Sequence, residues 1–564
     1  MSTRKKNTTK PQKHKRSLRK ILPWVFIAII CAVFIAGYKA YFDPKLDPNG
    51  DNINYFLLAK SLAEGNGYKD IVPPVPVPHT HFPPGYPLFM ALFMHIFPEN
   101  IVAMKILNGI LFLIAVLMLF QIIRKVTDDN IWVAFAACLL SVVHPTLIRW
   151  SVIMMSEMLY MVISFGIILI CLDLDVGKVF AGKGVRDWKH VALFVLLCLL
   201  VISSYLVRTI GISVVLAASL AFGVTALKCL KKKDRRWIAS AVVAASIMVT
   251  VFVAHEGWSV RNHHVAPGKG SDYSSGFMYT SDHQKMTSDL WVARLKTNIS
   301  EYTTSWIPLS FLNPYETIDH HNHRTPTAAG WCLGLAVLFL MGFGGYRLKR
   351  GRTVIISYLL ITFGVLLLYQ EQYAGTRYFT PVFPLMILLF LNGIWEAFTS
   401  PFRRAFKKEY AIVPIAVLAI AAVVFYPGYK KERDLYVKLA SYKTYIEMNP
   451  KSPYAHYLQA AEWIKEHGKN STIVACRKPE TMFMYSGYKH AVRFPLSGTE
   501  EEILKALDES YANFVVLDTY AKHAYSVIYP AIKDHQEAFP VYFVTEQDNE
   551  PARTAVTGFL RNKL

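Results

Sequence analysis

The basic segment MSTRKKNTTKPQKHKRSLRK (residues 1–20) runs directly into the apolar segment ILPWVFIAIICAVFIAGYKAYF (residues 21–42). A helix of about 20 apolar residues is long enough to cross the hydrocarbon core of a bilayer. The charge order is that of a secretory signal sequence, but the apolar part is too long for a typical cleaved one. We therefore predict an uncleaved first membrane helix with its basic tail, residues 1–20, in the cytoplasm.

Apolar runs of similar length recur throughout the chain. Hydrophobic residues make up 53% of its 564 residues, so the bilayer is the solvent for most of the protein. The runs begin near residues 21, 101, 131, 153, 190, 209, 237, 328, 353, 378 and 409. They predict a polytopic α-helical membrane protein with about eleven transmembrane helices.

The basic residues between these runs predict the orientation of the chain. Alternate threading from a cytoplasmic N-terminus places the following segments on the cytoplasmic side: RKVTDDN, GKVFAGKGVRDWKH, KCLKKKDRR, RLKRGR and PFRRAFKK. This agrees with the positive-inside rule, so the net charge of +21 does not indicate nucleic-acid binding. The outer face receives residues 43–100, the loop 255–327, the turn EQYAGTRY and everything after about residue 428. Polar loops held by a rigid scaffold predict a site at the outer membrane surface.

The C-terminal region has the alternating pattern of a small α/β domain. We predict helices in PYAHYLQAAEWIKEHG and TEEEILKALDES, and strands in STIVAC, NFVVLD and PVYFVTE. No GxGxxG or P-loop string is present, and the seven scattered cysteines show no CxxC spacing, so neither nucleotide chemistry nor a structural zinc site is indicated. The predicted domains are the basic tail, a membrane catalytic domain (21–427) and an extracytoplasmic α/β domain (428–564).

Two acidic residues are candidates for chemistry. Asp51 precedes a helix-compatible stretch, where it is either an N-cap or a carboxylate fixed for use as a general base or metal ligand. Glu157 lies near the outer end of an apolar run, where a charge is costly and marks function unless a partner such as Arg149 neutralises it. If the two acids meet, they can deprotonate a hydroxyl or bind a divalent cation.

The first outer loop contains HTHFPPGYPLF, residues 79–89. Its prolines exclude a regular helix, and Gly85 permits a bend or a close backbone approach. The loop is either a rigid re-entry into the membrane or a support that presents His79 and His81 to a phosphate or a metal.

Three arginines share the predicted outer level: Arg208, Arg261 and Arg377. Each alone is explained by snorkelling to the membrane surface. Together they predict a phosphate clamp, because guanidinium forks match phosphate oxygens. Three histidines of the same neighbourhood are further candidates for phosphate contacts: His255, His263 and His264.

The whole chain resembles membrane glycosyltransferases of the GT-C superfamily, and is similar to the lipid A aminoarabinose transferases and the protein O-mannosyltransferases. The resemblance is carried by GDNINYFLLAKSLAEGNGY, HFPPGYPLF, SEMLY, LVRTIGI, HEGWSVRN and GTRYFTPVFP. It implies a GT-C fold in a bacterial cytoplasmic (inner) membrane, with the site and the C-terminal domain on the periplasmic side. It also implies inverting transfer of a hexose or pentose from a polyprenyl-phosphate carrier to a hydroxyl of a lipid, protein or polysaccharide.

The resemblance also implies roles for individual residues. Asp51 matches the first-loop acid, taken as the catalytic base, and Glu157 matches a second acid that is often Asp elsewhere. His81 lies where the aminoarabinose transferases carry a Lys before the double proline. Arg377 and Tyr378 match an RY pair taken as a phosphate contact. The candidate site therefore comprises Asp51 and Glu157 for catalysis or a divalent cation; His81, Arg208, Arg261 and Arg377 for the donor phosphate; and His79, His255 and Tyr378 as further contacts.

Three alternatives remain open at the level of sequence. A transporter of lipid-linked sugars predicts paired repeats with broken helices at mid-membrane, whereas the polar residues here gather at one face. An oligosaccharyltransferase or O-antigen ligase shares the architecture but takes a larger donor. A noncatalytic scaffold predicts that removing the Asp51 carboxylate leaves glycans unchanged.

Overall fold

The computed structural model describes residues 12–47, 51–180, 187–267, 276–280, 284–313, 325–373, 375–406, 412–495, 497–519, 524–545 and 554–564. The helices of its first half are α1 (Gln12–Tyr41), α2 (Asn52–Ala63), α3 (Gly85–Met94), α4 (Ile101–Val126), α5 (Ile131–Val143), α6 (Pro145–Ser151), α7 (Glu157–Asp173), α8 (Val176–Val179), α9 (Trp188–Val207), α10 (Ile212–Lys231) and α11 (Arg236–Val265). They are followed by α12 (Ser288–Glu301), α13 (Ile307–Leu312), α14 (Ala328–Tyr346), α15 (Arg352–Leu368), α16 (Thr376–Phe379), α17 (Phe383–Phe406) and α18 (Ile412–Ser441).

Each predicted apolar run is helical, and the chain is a polytopic α-helical membrane protein. Seven helices in the described ranges are long and apolar enough to cross a membrane, or eight if the bent pair α5 and α6 forms one span. The predicted count of about eleven also includes α7 and α15, which are apolar but only 17 residues long, and α18. The predicted fold class is confirmed.

Breaks in the helices place polar side chains at one end of the bundle. Pro145 begins α6 after the extended residue His144, and the axis bends there by 62°, because proline restricts its predecessor to extended conformations. The chain is also extended at Arg208, between α9 and a short 3₁₀ turn that leads into α10. Side chains of α6 and of Arg208 therefore lie where α7 begins.

The described part of residues 43–100, the predicted first outer loop and named so below, forms a small layer over this end of the bundle. It contains α2, a two-stranded antiparallel hairpin of β1 (Lys69–Asp70) and β2 (Val77–Pro78), and α3. Helix α2 packs against α3, and its residues Ile53, Tyr55 and Phe56 are buried.

The C-terminal region forms a mixed five-stranded sheet in the order β4-β3-β5-β7-β6. Its strands are β3 (Ile473–Cys476), β4 (His490–Arg493), β5 (Phe514–Asp518), β6 (Val541–Val544) and β7 (Thr554–Gly558). Its helices are α19 (Tyr445–Met448), α20 (Pro453–His467), α21 (Pro479–Tyr485), α22 (Glu500–Glu509) and α23 (Tyr529–Ile532). The predicted α/β domain is present, whereas β4 and β7 were not predicted.

The C-terminal domain is docked on the first outer loop. The Tyr485 hydroxyl donates to the Leu46 carbonyl at 2.8 Å, and the Tyr488 hydroxyl donates to Glu99 Oε2 at 2.7 Å. Helix α18 runs through the predicted boundary at residue 427 as far as Ser441. The loop that carries Asp51 is therefore held from two sides, by the helix bundle and by the sheet domain.

Candidate functional site

Asp51 stands at the N-cap position of α2, but its side chain makes no capping hydrogen bond. Its Oδ2 instead accepts a hydrogen bond from Nη2 of Arg377 at 2.6 Å. About a third of the Asp51 side chain, 34%, is exposed to solvent. The simple capping interpretation therefore does not account for this carboxylate, which lies at the mouth of a charged cluster.

Glu157 is the first residue of α7 and is fully buried. Its Oε1 accepts from Nη1 of Arg208 at 2.9 Å and from Nε of Arg377 at 3.3 Å. The start of a helix favours a negative charge, and a buried carboxylate needs cationic partners. Arg208 and Arg377 supply this charge, in place of Arg149, which the sequence offered as a partner.

Arg377 lies between the two acids and contacts both of them. Its guanidinium also lies over the rings of Trp150, at 5.3 Å, and Tyr378, at 5.7 Å. Aromatic faces attract cations, so these rings hold the guanidinium plane while its N–H groups point to the carboxylates. The prediction that Asp51 and Glu157 meet is thus realised through a shared arginine.

Arg208 is tied to the site by a second contact. Its Nη1 donates to Oγ of Ser156 at 2.9 Å, and the Tyr55 hydroxyl lies 3.4 Å from the same oxygen. Tyr55 is one turn after Asp51 on α2, so the two share a helix face. The Arg208 side chain is only 13% exposed.

We call Asp51, Glu157, Arg208 and Arg377 the acid–arginine quartet. Two carboxylates and two guanidiniums balance in charge, which makes their largely buried placement tolerable. The quartet lies where α9 ends and where α7 and α16 begin, so residues far apart in sequence meet at one end of the bundle.

The quartet does not fit the divalent cation proposed for Asp51 and Glu157. A guanidinium already lies between the two carboxylates, and the described ranges contain no group of three or more His, Cys, Asp or Glu side chains that could hold a metal ion. We therefore derive no chemistry through a metal here.

His79 braces the first outer loop instead of facing the quartet. Its Nε2 accepts the backbone N–H of Phe82 at 2.8 Å, so Nδ1 carries the proton and donates to Asp70 at 2.8 Å. The ring also stacks on Phe82. Both ring nitrogens are thereby engaged inside the loop. The exposed ring of His81 packs edge-on against Phe82.

The loop reaches the quartet through aromatic packing. Phe82 contacts Tyr55 with ring centroids 4.9 Å apart, and Tyr86 meets Tyr55 edge-on at 5.0 Å. Tyr55 in turn approaches Ser156, which accepts a hydrogen bond from Arg208. The proline-rich segment therefore packs against a tyrosine that is linked to the quartet through Ser156.

Arg261 supports the loop rather than joining the quartet. It donates to the backbone carbonyls of His79 and Tyr68, and its guanidinium lies 5.2 Å from the centre of the Trp258 ring. His255 lies elsewhere on α11, with Nδ1 2.7 Å from the Tyr205 hydroxyl. The structure therefore brings together two of the three predicted clamp arginines.

His263 and His264 end α11, within the last turn. Neither has a contact with the quartet in the described structure, and no role is assigned to them. Sequence reasoning did not find Ser156, Tyr55 or Trp150. A signal existed only for the first two, because Ser156 immediately precedes Glu157 and Tyr55 follows Asp51 by one helical turn.

Gly85 allows the proline-rich loop to lie directly against α9. A Cβ at Gly85 would be 2.7 Å from the carbonyl oxygen of Leu206, two residues before Arg208. We expect Gly85→Ala to destabilise the protein by about 1–3 kcal/mol, because the backbone on both sides must shift. The expected result is an unfolding temperature several degrees lower in detergent.

Gly223→Ala is the matched control for this measurement. Gly223 lies within α10, and a Cβ there meets nothing within 4 Å. Its substitution should leave the unfolding temperature unchanged or slightly raised, since alanine is the better helix former. Equal unfolding temperatures for the Gly85 variant and the native protein would show that the loop accommodates the added methyl group without loss of stability.

Comparison with known proteins supports the fold. No family model and no curated protein matches the sequence. The oligosaccharyltransferase of Archaeoglobus fulgidus superimposes with a TM-score of 0.54 at 12% identity, over 96% of this chain and 76% of that chain. ArnT from Cupriavidus metallidurans, solved with undecaprenyl phosphate, gives 0.53 at 12% identity, over 96% and 98%. The mycobacterial arabinofuranosyltransferase AftD gives 0.50 at 12% identity, over 94% and 41%. All three are GT-C enzymes, so the predicted GT-C fold is confirmed.

Proposed function

We propose that this chain is a membrane glycosyltransferase that moves a sugar from a polyprenyl-phosphate carrier to an acceptor hydroxyl, on the outer face of a bacterial cytoplasmic membrane. The observation that carries the proposal is the quartet, in which one arginine bridges a partly exposed carboxylate and a buried one. Support comes from the GT-C fold and from two proteins that share it. ArnT was solved with undecaprenyl phosphate, and the Archaeoglobus fulgidus oligosaccharyltransferase was solved with an inhibitory peptide and a dolichol-phosphate.

Asp51 is the general base in this proposal, because its carboxylate is the more exposed of the two acids. The acceptor oxygen attacks the anomeric carbon from the face opposite the phosphate while its proton passes to Asp51. The bond between the anomeric carbon and the phosphate oxygen breaks, and its electron pair remains on the phosphate. The configuration at the anomeric carbon is therefore inverted, and a general base typically contributes 10²–10⁴-fold.

Arg377 and Arg208 stabilise the departing phosphate. A guanidinium offers five N–H donors, of which Arg377 uses two in its contacts with Asp51 and Glu157. Donors fixed beforehand around developing charge lower the barrier most effectively. Glu157 has no access to solvent, so its role is to position both arginines rather than to exchange protons with the acceptor.

The proposal also includes the orientation of the chain in the membrane and the side on which its C-terminal domain lies. The basic loops predicted from the sequence face the cytoplasm, and the quartet with the C-terminal domain, residues 428–564, faces the periplasm. A lipid carrier holds its reactive carbon at headgroup level, and the quartet lies at the ends of membrane helices, where that carbon is within reach.

Mass spectrometry of a deletion strain tests the function. We expect a lipid-linked sugar to accumulate and one envelope glycan to disappear, with both changes reversed by the native gene. The mass of the accumulated lipid identifies the donor, and an oligosaccharide on the carrier would favour the oligosaccharyltransferase or ligase alternative. Product formation by the purified protein excludes a transporter. Unchanged lipids and glycans would contradict the proposal.

A further inference from the structure

Basic residues gather at one edge of the C-terminal sheet. Strand β3 is followed by Arg477 and Lys478, and β4 ends at Arg493. The two strands are parallel, with Cys476 directly opposite Arg493, so all three cations lie at the carboxyl edge. In open α/β sheets, ligands bind outside the carboxyl ends of parallel strands.

These cations are only partly compensated. Burial lowers the pKa of both Arg477 and Lys478, and the neighbouring positive charges of Arg493 and Arg477 lower them further. Glu480 accepts from Nη2 of Arg493 at 3.3 Å, and Asp518 adds a second negative charge beside Arg477. The Nε of Arg477 is buried and has no hydrogen-bond partner in the part of the chain that the structure describes. Among the described residues, the acidic groups that act on these cations are Glu480 and Asp518, together with Asp51, which is already paired with Arg377.

The same edge is turned toward Asp51. The negative charge of Asp51 raises the pKa of Lys478, against the larger lowering by burial and by Arg477. Helix α21, which begins directly after Lys478, packs against α2, which begins directly after Asp51. The backbone N–H of Ala491 in β4 donates to the Val72 carbonyl of the first outer loop at 3.1 Å. The sheet edge and the general base therefore belong to one fixed assembly.

The quartet alone does not neutralise the charge of a bound phosphate. Its two carboxylates already balance its two guanidiniums, whereas the carrier phosphate gains a further negative charge when the glycosidic bond breaks. Cations from outside the quartet are needed to compensate that charge in a partly desolvated site. The sheet edge holds such a group of cations, and it is joined to the loop that carries Asp51.

We propose that Arg477, Lys478 and Arg493 form a phosphate-binding site above the quartet, so that the C-terminal domain completes the active site. The inference rests on the proposed function and deepens it. The phosphate belongs either to the lipid carrier or to an acceptor that carries its own phosphate, since the recognition chemistry is the same for both.

The test uses the full-length protein in nanodiscs of phosphatidylcholine, with the double variant Arg477→Gln/Lys478→Gln and the single variant Arg493→Gln. Binding of two probes is measured, undecaprenyl phosphate for the carrier and glucose 6-phosphate for a phosphorylated acceptor. We expect the double variant to weaken one probe at least ~10-fold, and Arg493→Gln to weaken the same probe, because each charge-assisted bond contributes about that factor.

The control is the double variant Lys469→Gln/Lys505→Gln, which removes two charges from exposed positions of the same domain. Lys469 precedes β3, at the opposite edge of the sheet, and the Lys505 side chain is 73% exposed. Its probe affinities should remain within about twofold of the native values.

The outcomes distinguish a failure of this phosphate-binding site from a failure of the proposed function. Loss confined to undecaprenyl phosphate assigns the site to the carrier, and loss confined to glucose 6-phosphate assigns it to the acceptor. Unchanged binding of both probes by both edge variants overturns the site while leaving the proposed function intact. Failure of the native protein to bind undecaprenyl phosphate overturns the proposed function itself.

Discussion

We expect Asp51→Asn to abolish sugar transfer almost completely, while the protein still inserts and folds. Asparagine has the shape of aspartate and keeps an oxygen for Arg377, but it cannot take the proton of the acceptor hydroxyl. The expected loss is that of a general base, about 10²–10⁴-fold. The measurement is product formation by purified protein at saturating donor, together with the unfolding temperature in detergent.

Asp129→Asn is the control for this substitution. Asp129 forms an exposed ion pair with Arg124 at 2.6 Å, and its side chain is 66% exposed. Exposed pairs of this kind contribute about 0–1 kcal/mol, and asparagine tolerates the positive φ of 64° at this position. Activity and unfolding temperature should both match the native protein.

The way in which activity is lost distinguishes a base from an anchor for Arg377. Loss of the base lowers kcat and leaves the KM for the donor nearly unchanged. An anchor would act through Arg377, which binds the donor phosphate in our proposal, so its loss would change the donor KM as well. Full activity of Asp51→Asn would remove Asp51 from the mechanism altogether.

The sequence predicted that the candidate site residues share one end of the bundle, for a physical reason. Charged residues inside apolar runs are few because each one is costly, so Glu157 and Arg208 stand out against their apolar surroundings, whereas Asp51 and Arg377 lie in the predicted outer segments 43–100 and EQYAGTRY. The positive-inside rule then threads them to one face. Predictions based on cost and topology therefore placed the quartet without any knowledge of its contacts.

The sequence did not predict how the arginines divide their roles. Arg261 carries the same charge at the same predicted depth as Arg377, yet it binds the carbonyls of His79 and Tyr68. Snorkelling, phosphate binding and loop support all require only a long cationic side chain. The choice depends on where α11 lies relative to the first outer loop, and local pattern does not contain that information.

The short strands β4 and β7 were missed for a related reason. Strand β4 has four residues, two of them charged or titratable, so its pattern is weak. It is held by pairing with β3 and by a hydrogen bond from Ala491 to Val72. Tertiary contacts thus define the strand that brings Arg493 beside Arg477.

Glu157→Gln should also abolish transfer, by a different route. Glutamine keeps an oxygen that can accept from Arg208 and Arg377, but it removes one of the two negative charges that hold these arginines. Breaking a buried ion pair costs about 3–5 kcal/mol when one partner keeps its charge. We expect kcat to fall about 100-fold or more, since the guanidiniums are no longer held at the positions where phosphate charge develops.

Glu396→Gln separates this loss of activity from a loss of stability. Glu396 is buried and accepts from Nε and Nη2 of Arg347 at 3.0 and 2.8 Å. It lies on α17, the helix that follows Arg377 in the chain. Both glutamine variants should unfold at lower temperature, but only Glu157→Gln should lose activity. Glu157→Asp restores the charge on a shorter side chain and should recover part of the rate. If Glu157→Gln and Glu396→Gln lose stability alike and both remain active, Glu157 stabilises the fold without positioning the arginines for catalysis.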